Sequence, residues 1–169
     1  MKKSRSRLSR RTFLTGTVAA SAASAVRLRA APAETLAKAG RIDCQSHLFC
    51  ADLLALMEKR KTDPRVYTKD GVRIVQMGDW LRKIPPLYLD VDAKLATMDA
   101  AGIALTALSI NDPGPEWFGA DGPAVAQLLN DFIAGLVRKH PTRFFGLCVL
   151  PLQDMRASLT ELDRCVRTL

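Results

Sequence analysis

The stretch RIDCQSHLFC, residues 41–50, decides the fold, because an apolar strand pattern in it carries regularly spaced polar side chains. Successive side chains of a strand point to opposite faces, so Asp43, Gln45 and His47 are predicted to share one face. They approach the carboxyl end of a strand predicted over residues 41–49. Imidazole is a good ligand for divalent metals, whereas a neutral amide oxygen is a poorer ligand for zinc. Taken alone, the stretch predicts a strand with an ordinary hydrogen-bonded histidine, and a metal ligand is the alternative.

Strand and helix patterns alternate outward from this stretch. Two further apolar strands are predicted over residues 103–110 and 143–150. Apolar spacing predicts helices over residues 51–60, 92–101 and 123–139, and a last helix after a cap at Asp154 whose apolar positions are Met155, Leu159, Leu162, Val166 and Leu169. Residues 65–76 alternate around Lys69-Asp70-Gly71, which predicts a small inserted hairpin. Successive βα units predict an α/β fold with a parallel sheet.

The net charge of +8 is concentrated in the first part of the chain. Residues 1–33 contain eight Lys and Arg side chains and no acid, so residues 34–169 contain 17 cations and 17 acids. A protein that binds nucleic acid carries its basic patch on the folded domain. The charge distribution therefore disfavours nucleic acid as a partner.

Residues 1–33 are predicted to be an export signal, followed by a linker over residues 34–40. The sequence SRRTFL, residues 9–14, resembles the twin-arginine box of bacterial signals for folded proteins. An apolar, alanine-rich stretch follows to residue 26, and Ala31-Pro32-Ala33 supplies small residues for cleavage. We expect an exported protein of the periplasm or extracellular space, with no membrane span after cleavage. A basic tail or an uncleaved anchor is the alternative.

Four cysteines are present, and none forms a CxxC pair. Cys44, Cys148 and Cys165 lie in apolar strand or helix patterns, where a free cysteine usually behaves as a small buried hydrophobic residue. Oxidation after export is the alternative. The pattern favours buried free thiols and argues against a thiolate zinc site.

Several stretches together resemble one family. Residues 41–49 look like the first strand of the amidohydrolase superfamily, in the branch that contains aminocarboxymuconate-semialdehyde decarboxylase. The further matching stretches are KLATMDAAGI at 94–103, LTALSIN at 105–111, PTRFFG at 141–146 and LPLQD at 150–154. The resemblance implies a (β/α)8 barrel, of which residues 41–169 contain about three N-terminal βα units and the hairpin. It also implies a divalent metal, usually zinc, at the carboxyl ends of the strands.

The resemblance assigns roles to the first strand. His47 corresponds to the second histidine of the family's H-x-H metal pair, and Gln45 stands where the first histidine is usual. Asp43 is either a residue that supports the metal ligands or a hydrogen-bonded residue at the start of the strand. The other metal ligands and the catalytic residues of such a barrel are expected beyond residue 169.

The loop after the second strand is expected at the same end of the barrel. Asn111 is a candidate substrate contact, and Trp117 or Phe118 could wall an apolar or aromatic pocket. Ordinary packing over the barrel end is the alternative for all three. Asn130, within a helix, is predicted to be structural. His140 is predicted to lie at the opposite end of the barrel from His47, at the end of a helix.

Two functions follow from these assignments. The first is a metal-dependent hydrolase or non-oxidative decarboxylase of a small carboxylated or cyclic substrate, which could also form a homo-oligomer. The second is a non-catalytic, truncated or degenerate barrel that acts, if at all, through a partner subunit. Gln45 and the small number of βα units favour the second, whereas the family resemblance favours the first.

Overall fold

The computed structural model describes residues 40–169, and the predicted signal and linker up to residue 39 lie outside them. Two three-stranded sheets are present, a parallel one in the order β1-β5-β6 and an antiparallel one in the order β2-β3-β4. The strands are β1 (Ile42–Leu48), β2 (Arg65–Lys69), β3 (Val72–Met77), β4 (Trp80–Lys83), β5 (Leu105–Ile110) and β6 (Phe144–Gly146). The helices are α1 (Ala51–Glu58), α2 (Val91–Ala100), α3 (Gly122–Lys139) and α4 (Met155–Thr168).

The parallel sheet and its crossover helices form the βα units that the sequence predicts. β1 pairs with β5 and β5 with β6, both in parallel. Helices α2 and α3 cover one face of this sheet through a core of Leu48, Met98, Leu108, Leu136 and Phe144. Truncating such a buried Leu or Phe to Ala typically costs about 2–5 kcal/mol. The parallel strand pairing and the helices that cover the sheet confirm the α/β fold class. The face of the sheet opposite α2 and α3 corresponds to the interior of a (β/α)8 barrel.

The predicted hairpin is present as β2 and β3. Asp70 and Gly71 both have positive φ, 52° and 75°, which matches the two-residue turn that joins twisted antiparallel strands. The sheet packs on α1 through a second core that includes Val66, Val75 and Met57. The added strand β4 was not predicted, because its exposed residues lack the alternation of a half-buried strand.

Aspartate side chains cap two of the helices, and the cap at Asp154 was predicted from the sequence. Asp90 caps α2 by accepting a hydrogen bond from the Ala93 N–H, and Asp154 caps α4 in the same way from Ala157. Gly102, with φ of 64°, follows α2 in the left-handed conformation that commonly ends a helix.

Helix α4 packs through its polar side. Ser158 and Glu161 are buried, whereas Met155 and Leu159, on the apolar stripe, are 66% and 61% exposed within the described residues. Strand β6 is shorter than predicted because Val149, beyond its end, directs its N–H and C=O to the Asn130 side chain. Side-chain hydrogen bonds, rather than a strand ladder or apolar burial, therefore hold the segment after β6 and helix α4 in place.

The prediction of buried cysteines is wrong at two positions. Cys44 and Cys148 are exposed, Cys165 is half-buried and Cys50 is buried, and all four are free thiols. Cys44 lies in an irregular part of β1, and Cys148 lies beyond the end of β6, so neither occupies the regular strand that its apolar neighbours predicted. Within residues 40–169, no helix has both the length and the apolar character needed to cross a membrane.

Candidate metal-binding and substrate site

A β-bulge in β1 determines which polar side chains share a face. Asp43 pairs with Thr106, but Ser46 pairs with Leu108, so three steps along β1 match two along β5. The extra residue places Asp43 and Ser46 on the same, helix-covered face, and the next residue, His47, on the opposite face. The prediction that Asp43 shares a face with His47 is therefore wrong, because simple alternation does not hold across a bulge.

Lys94 of α2 joins the two sides of the bulge. Its Nζ lies 3.7 Å from Asp43 Oδ2 and also donates to Ser46 Oγ. Asp43 Oδ1 accepts the backbone N–H of Gln45 at 3.0 Å, which stabilises the turn of the chain within the bulge. Of the two alternatives for Asp43, the hydrogen-bonded structural role agrees with this geometry.

His47 lies directly opposite Ser109 in the parallel ladder. Its Nδ1 is 2.7 Å from Ser109 Oγ, a short and well-formed hydrogen bond. The ring is half-buried, and among the described residues Nε2 has no hydrogen-bond partner. His47 can therefore offer one ring nitrogen, Nε2, to a metal on the face opposite the helices.

Gln45 precedes His47 by two residues and, like Cys44, has no partner in the β1–β5 ladder, because both residues lie within the bulge. The Gln45 side chain is exposed and makes no hydrogen bond with residues 40–169. Its amide oxygen is a hard donor of the kind that suits manganese or magnesium better than zinc. One imidazole and one amide oxygen thus fit part of the coordination sphere of a hard divalent metal.

Asn111 follows β5 at the same end of the sheet. Its backbone N–H donates to Leu48 C=O at 3.4 Å, and alternation places its side chain on the face of Ser109. The residue is 3% exposed, yet neither Oδ1 nor Nδ2 has a hydrogen-bond partner within residues 40–169. Leaving a buried amide unpaired costs roughly 1–3 kcal/mol, so this amide is suited to a polar ligand.

The two aromatic candidates lie on a 3-10 segment, Pro115–Asp121, beyond β5. Trp117 is well exposed and remains a candidate contact for an aromatic ring. Phe118 is 5% exposed, packs into the second core, and has the Arg60 guanidinium 5.1 Å from its ring centre. For Phe118 the structure agrees with the alternative of ordinary packing, because its ring lies in the core.

The predictions for His140 and Asn130, which lie away from the carboxyl ends of β1 and β5, agree with the structure. His140 follows α3 and packs edge-on against Phe144, at the amino end of β6 and away from His47. Asn130 is structural, since its side chain bonds Val149 and Glu161. Ser109 was not predicted as a site residue. It lies in β5 close to the carboxyl end, and the same strand-end position made Asn111 a candidate.

The described residues do not form a complete metal site by themselves. Residues 40–169 hold no cluster of three His, Cys, Asp or Glu side chains that could bind a metal ion. His47 and Gln45 can supply two donors, and Asn111 lies beyond them toward the strand end. Any further protein ligands would have to lie outside residues 40–169.

Comparison with known proteins supports the resemblance that the motifs indicated. No family model matches the chain. Over 103 residues it is 37% identical to gamma-resorcylate decarboxylase of Polaromonas sp. (strain JS666 / ATCC BAA-500), a match that covers 59% of this chain and 31% of that protein. It is 34% identical over 94 residues to 2-amino-3-carboxymuconate-6-semialdehyde decarboxylase of Dictyostelium discoideum, covering 53% of this chain and 25% of that protein.

A solved structure extends the comparison to the fold. The dihydroxybenzoic acid decarboxylase of Polaromonas sp. JS666, solved with bound manganese and the inhibitor 2-nitroresorcinol, superposes with a TM-score of 0.56 at 30% identity. The superposition covers 76% of this chain and 35% of that chain. The chain thus spans about a third of the length of its relatives. The resemblance to the branch that contains aminocarboxymuconate-semialdehyde decarboxylase, over its N-terminal βα units, is confirmed.

Proposed function

We propose that this chain supplies the first metal ligands and a substrate-orienting amide of a non-oxidative decarboxylase for carboxylated aromatic acids. The observation that carries the proposal is the position of His47, at the carboxyl end of β1 on the face opposite the helices, with Nε2 free of a hydrogen-bond partner among the described residues. Active sites of (β/α)8 barrels lie at that end of the strands. The identity to gamma-resorcylate decarboxylase supports decarboxylation over hydrolysis.

The proposed metal is a divalent ion harder than zinc, with manganese as the first choice. The Gln45 amide oxygen favours such an ion, and the similar Polaromonas structure contains manganese. When bound, the metal would polarise an oxygen of the substrate as a Lewis acid. His47 and Gln45 would hold it at the strand end. This choice replaces the zinc that the sequence resemblance implied.

The proposed role of Asn111 is to orient the substrate. Its unpaired Nδ2 can donate to a carboxylate or phenolate oxygen, and its Oδ1 can accept from a hydroxyl. A carboxylated phenol offers both kinds of group. Such pairing would satisfy a buried amide that has no other partner in the described residues, and Trp117 could contact the ring of the same ligand.

The proposal is tested first by metal binding to the full chain. Mn²⁺ uptake is followed through the loss of its free-ion EPR signal, with the wild type, His47→Asn and His140→Asn compared. We expect saturable binding by the wild type and His140→Asn, and a loss of affinity of more than about tenfold for His47→Asn, because an imidazole ligand is removed. His140→Asn is the matched control, since it changes the other histidine of the chain.

The second test is substrate chemistry. 2,6-Dihydroxybenzoate is added to the Mn²⁺-loaded chain, and its ultraviolet spectrum is followed for binding and for conversion to resorcinol and CO2. Mn²⁺-dependent binding that Asn111→Ala abolishes is the expected result. Absence of stoichiometric Mn²⁺ in the wild type would contradict the metal role, and Mn²⁺ uptake without any interaction with the acid would contradict the substrate class.

Localisation is a separate proposal that rests on the leader sequence. We propose export by the twin-arginine route, supported by Arg10 and Arg11 ahead of an apolar stretch. Replacing both by Lys is expected to retain the chain in the cytoplasm, as measured by cell fractionation. Replacing Arg5 and Arg7 by Lys is the matched control, and equal export of both variants would contradict the proposal.

A further inference from the structure

We propose that Ser109 is a positioning residue that directs Nε2 of His47 to the metal. The inference rests on the proposed function and adds a residue to it. Ser109 stands directly across the ladder from His47, and its Oγ is 2.7 Å from Nδ1. Nδ1 is therefore occupied, and only Nε2 can coordinate an ion without breaking a hydrogen bond.

A hydroxyl suits this task because it both donates and accepts. In the metal-free protein, the hydrogen bond persists whichever ring nitrogen carries the proton. With a metal on Nε2, Nδ1 must carry the proton, and it then donates to Ser109 Oγ. The hydrogen bond is thus kept in both states, and the ring need not rotate when the metal binds.

The backbone makes this pairing rigid. Both residues lie within regular parts of β1 and β5, and pairing continues with Leu48 opposite Ile110. The bulge lies on the other side of His47, between Asp43 and Ser46. Removal of the hydrogen-bond partner that orients a metal-binding histidine ring commonly weakens metal binding by about 10–100-fold.

The test compares Mn²⁺ affinity in the full-length wild type, Ser109→Ala and Ser109→Thr by EPR. We expect Ser109→Ala to bind Mn²⁺ about 10–100-fold more weakly and Ser109→Thr, which keeps the hydroxyl, to bind close to the wild-type level. Ser158→Ala is the matched control. Its hydroxyl is buried and donates to Pro151 C=O at 2.8 Å on α4, away from His47.

A second readout separates positioning from general stability. ¹⁵N NMR of the histidine rings, with Zn²⁺ as a diamagnetic probe, reports which nitrogen of His47 binds metal, and His140→Asn assigns the signals. We expect ligation through Nε2 in the wild type and mixed ligation through Nδ1 and Nε2 in Ser109→Ala. Equal Mn²⁺ affinity and unchanged Nε2 ligation in Ser109→Ala would overturn this inference alone. Failure of the wild type to bind Mn²⁺ would overturn the proposed function and this inference with it.

Discussion

Two buried asparagines, Asn130 and Asn111, are each 3% exposed, yet their surroundings differ completely. Asn130 Nδ2 donates to Val149 C=O at 2.9 Å and to Glu161 Oε1 at 2.7 Å, and its Oδ1 accepts the Val149 N–H at 2.8 Å. Asn111 has no side-chain partner within residues 40–169. Equal burial therefore conceals opposite surroundings, because the Asn130 amide ties elements together, whereas the Asn111 amide is buried without a partner in the described residues.

The hydrogen bonds of Asn130 belong to a larger structural network, which Asn111 lacks. Around Asn130, a network reaches Arg164, which contacts both Glu161 and Asp131 at 2.7 Å. Burial would raise the pKa of Glu161, but the hydrogen bonds from Arg164 and Asn130 outweigh it and hold that pKa below the usual value. Removing one partner from such a network is destabilising, because it leaves another buried polar group unpaired.

Asn130→Leu is expected to give the largest effect. It leaves the Val149 N–H and C=O unpaired and removes one donor from buried Glu161, so we expect a loss of about 3 kcal/mol in the free energy of unfolding. Urea unfolding followed by circular dichroism measures it. A loss below about 1 kcal/mol would show that the network is dispensable.

Glu161→Gln tests the charge within the same network. A folded-state pKa below the unfolded value stabilises the fold above the usual pKa of 4.5, and this contribution is lost as pH falls through the folded-state pKa. At pH 7 we expect the variant to be about 1.5 kcal/mol less stable than the wild type, because hydrogen bonds to a charged group are lost. The difference should shrink below pH 4.5 in urea titrations at each pH. A constant difference across that range would contradict the ionic role.

Lys94→Met tests the bulge in β1, where the partly exposed contacts of Lys94 support the strand that carries His47. The variant removes the contacts of Lys94 with Asp43 and Ser46, and we expect a loss of about 1 kcal/mol, since Lys94 is 18% and Asp43 24% exposed. Hydrogen exchange at the Gln45 amide should become faster at the same time. Unchanged exchange would indicate that Asp43 holds the bulge without the lysine.

Asn111→Leu should change stability least. Replacing an unpaired buried amide by an apolar group of similar size removes a desolvation cost, so we expect a change within about 0.5 kcal/mol. Binding of 2,6-dihydroxybenzoate to the Mn²⁺-loaded chain should nevertheless be lost. A destabilisation as large as that of Asn130→Leu would mean that Asn111 is structural and would erase the contrast between the two residues.

Local patterns were sufficient to predict the βα units, the hairpin turn and the cap of α4. Asp70-Gly71 and Asp154 act through their own backbone or the adjacent turn, so their neighbours in sequence contain the needed information. The strand-end position of His47 and Asn111 also followed from the pattern together with the family resemblance. The role of Phe118 did not, because an aromatic side chain after a strand suits a pocket and a core equally well.

The amino-acid sequence by itself determined the order of the βα units and the position of His47 near the carboxyl end of β1, because periodicity, capping and strand ends are local properties of the chain. Only the tertiary structure decided that a bulge turns Asp43 away from His47, that Ser109 pairs with Nδ1, and that Asn111 lacks the partners that Asn130 has. Each of these depends on register and on contacts between elements distant in sequence. Pairing of buried polar groups is settled by three-dimensional packing, which no local pattern specifies.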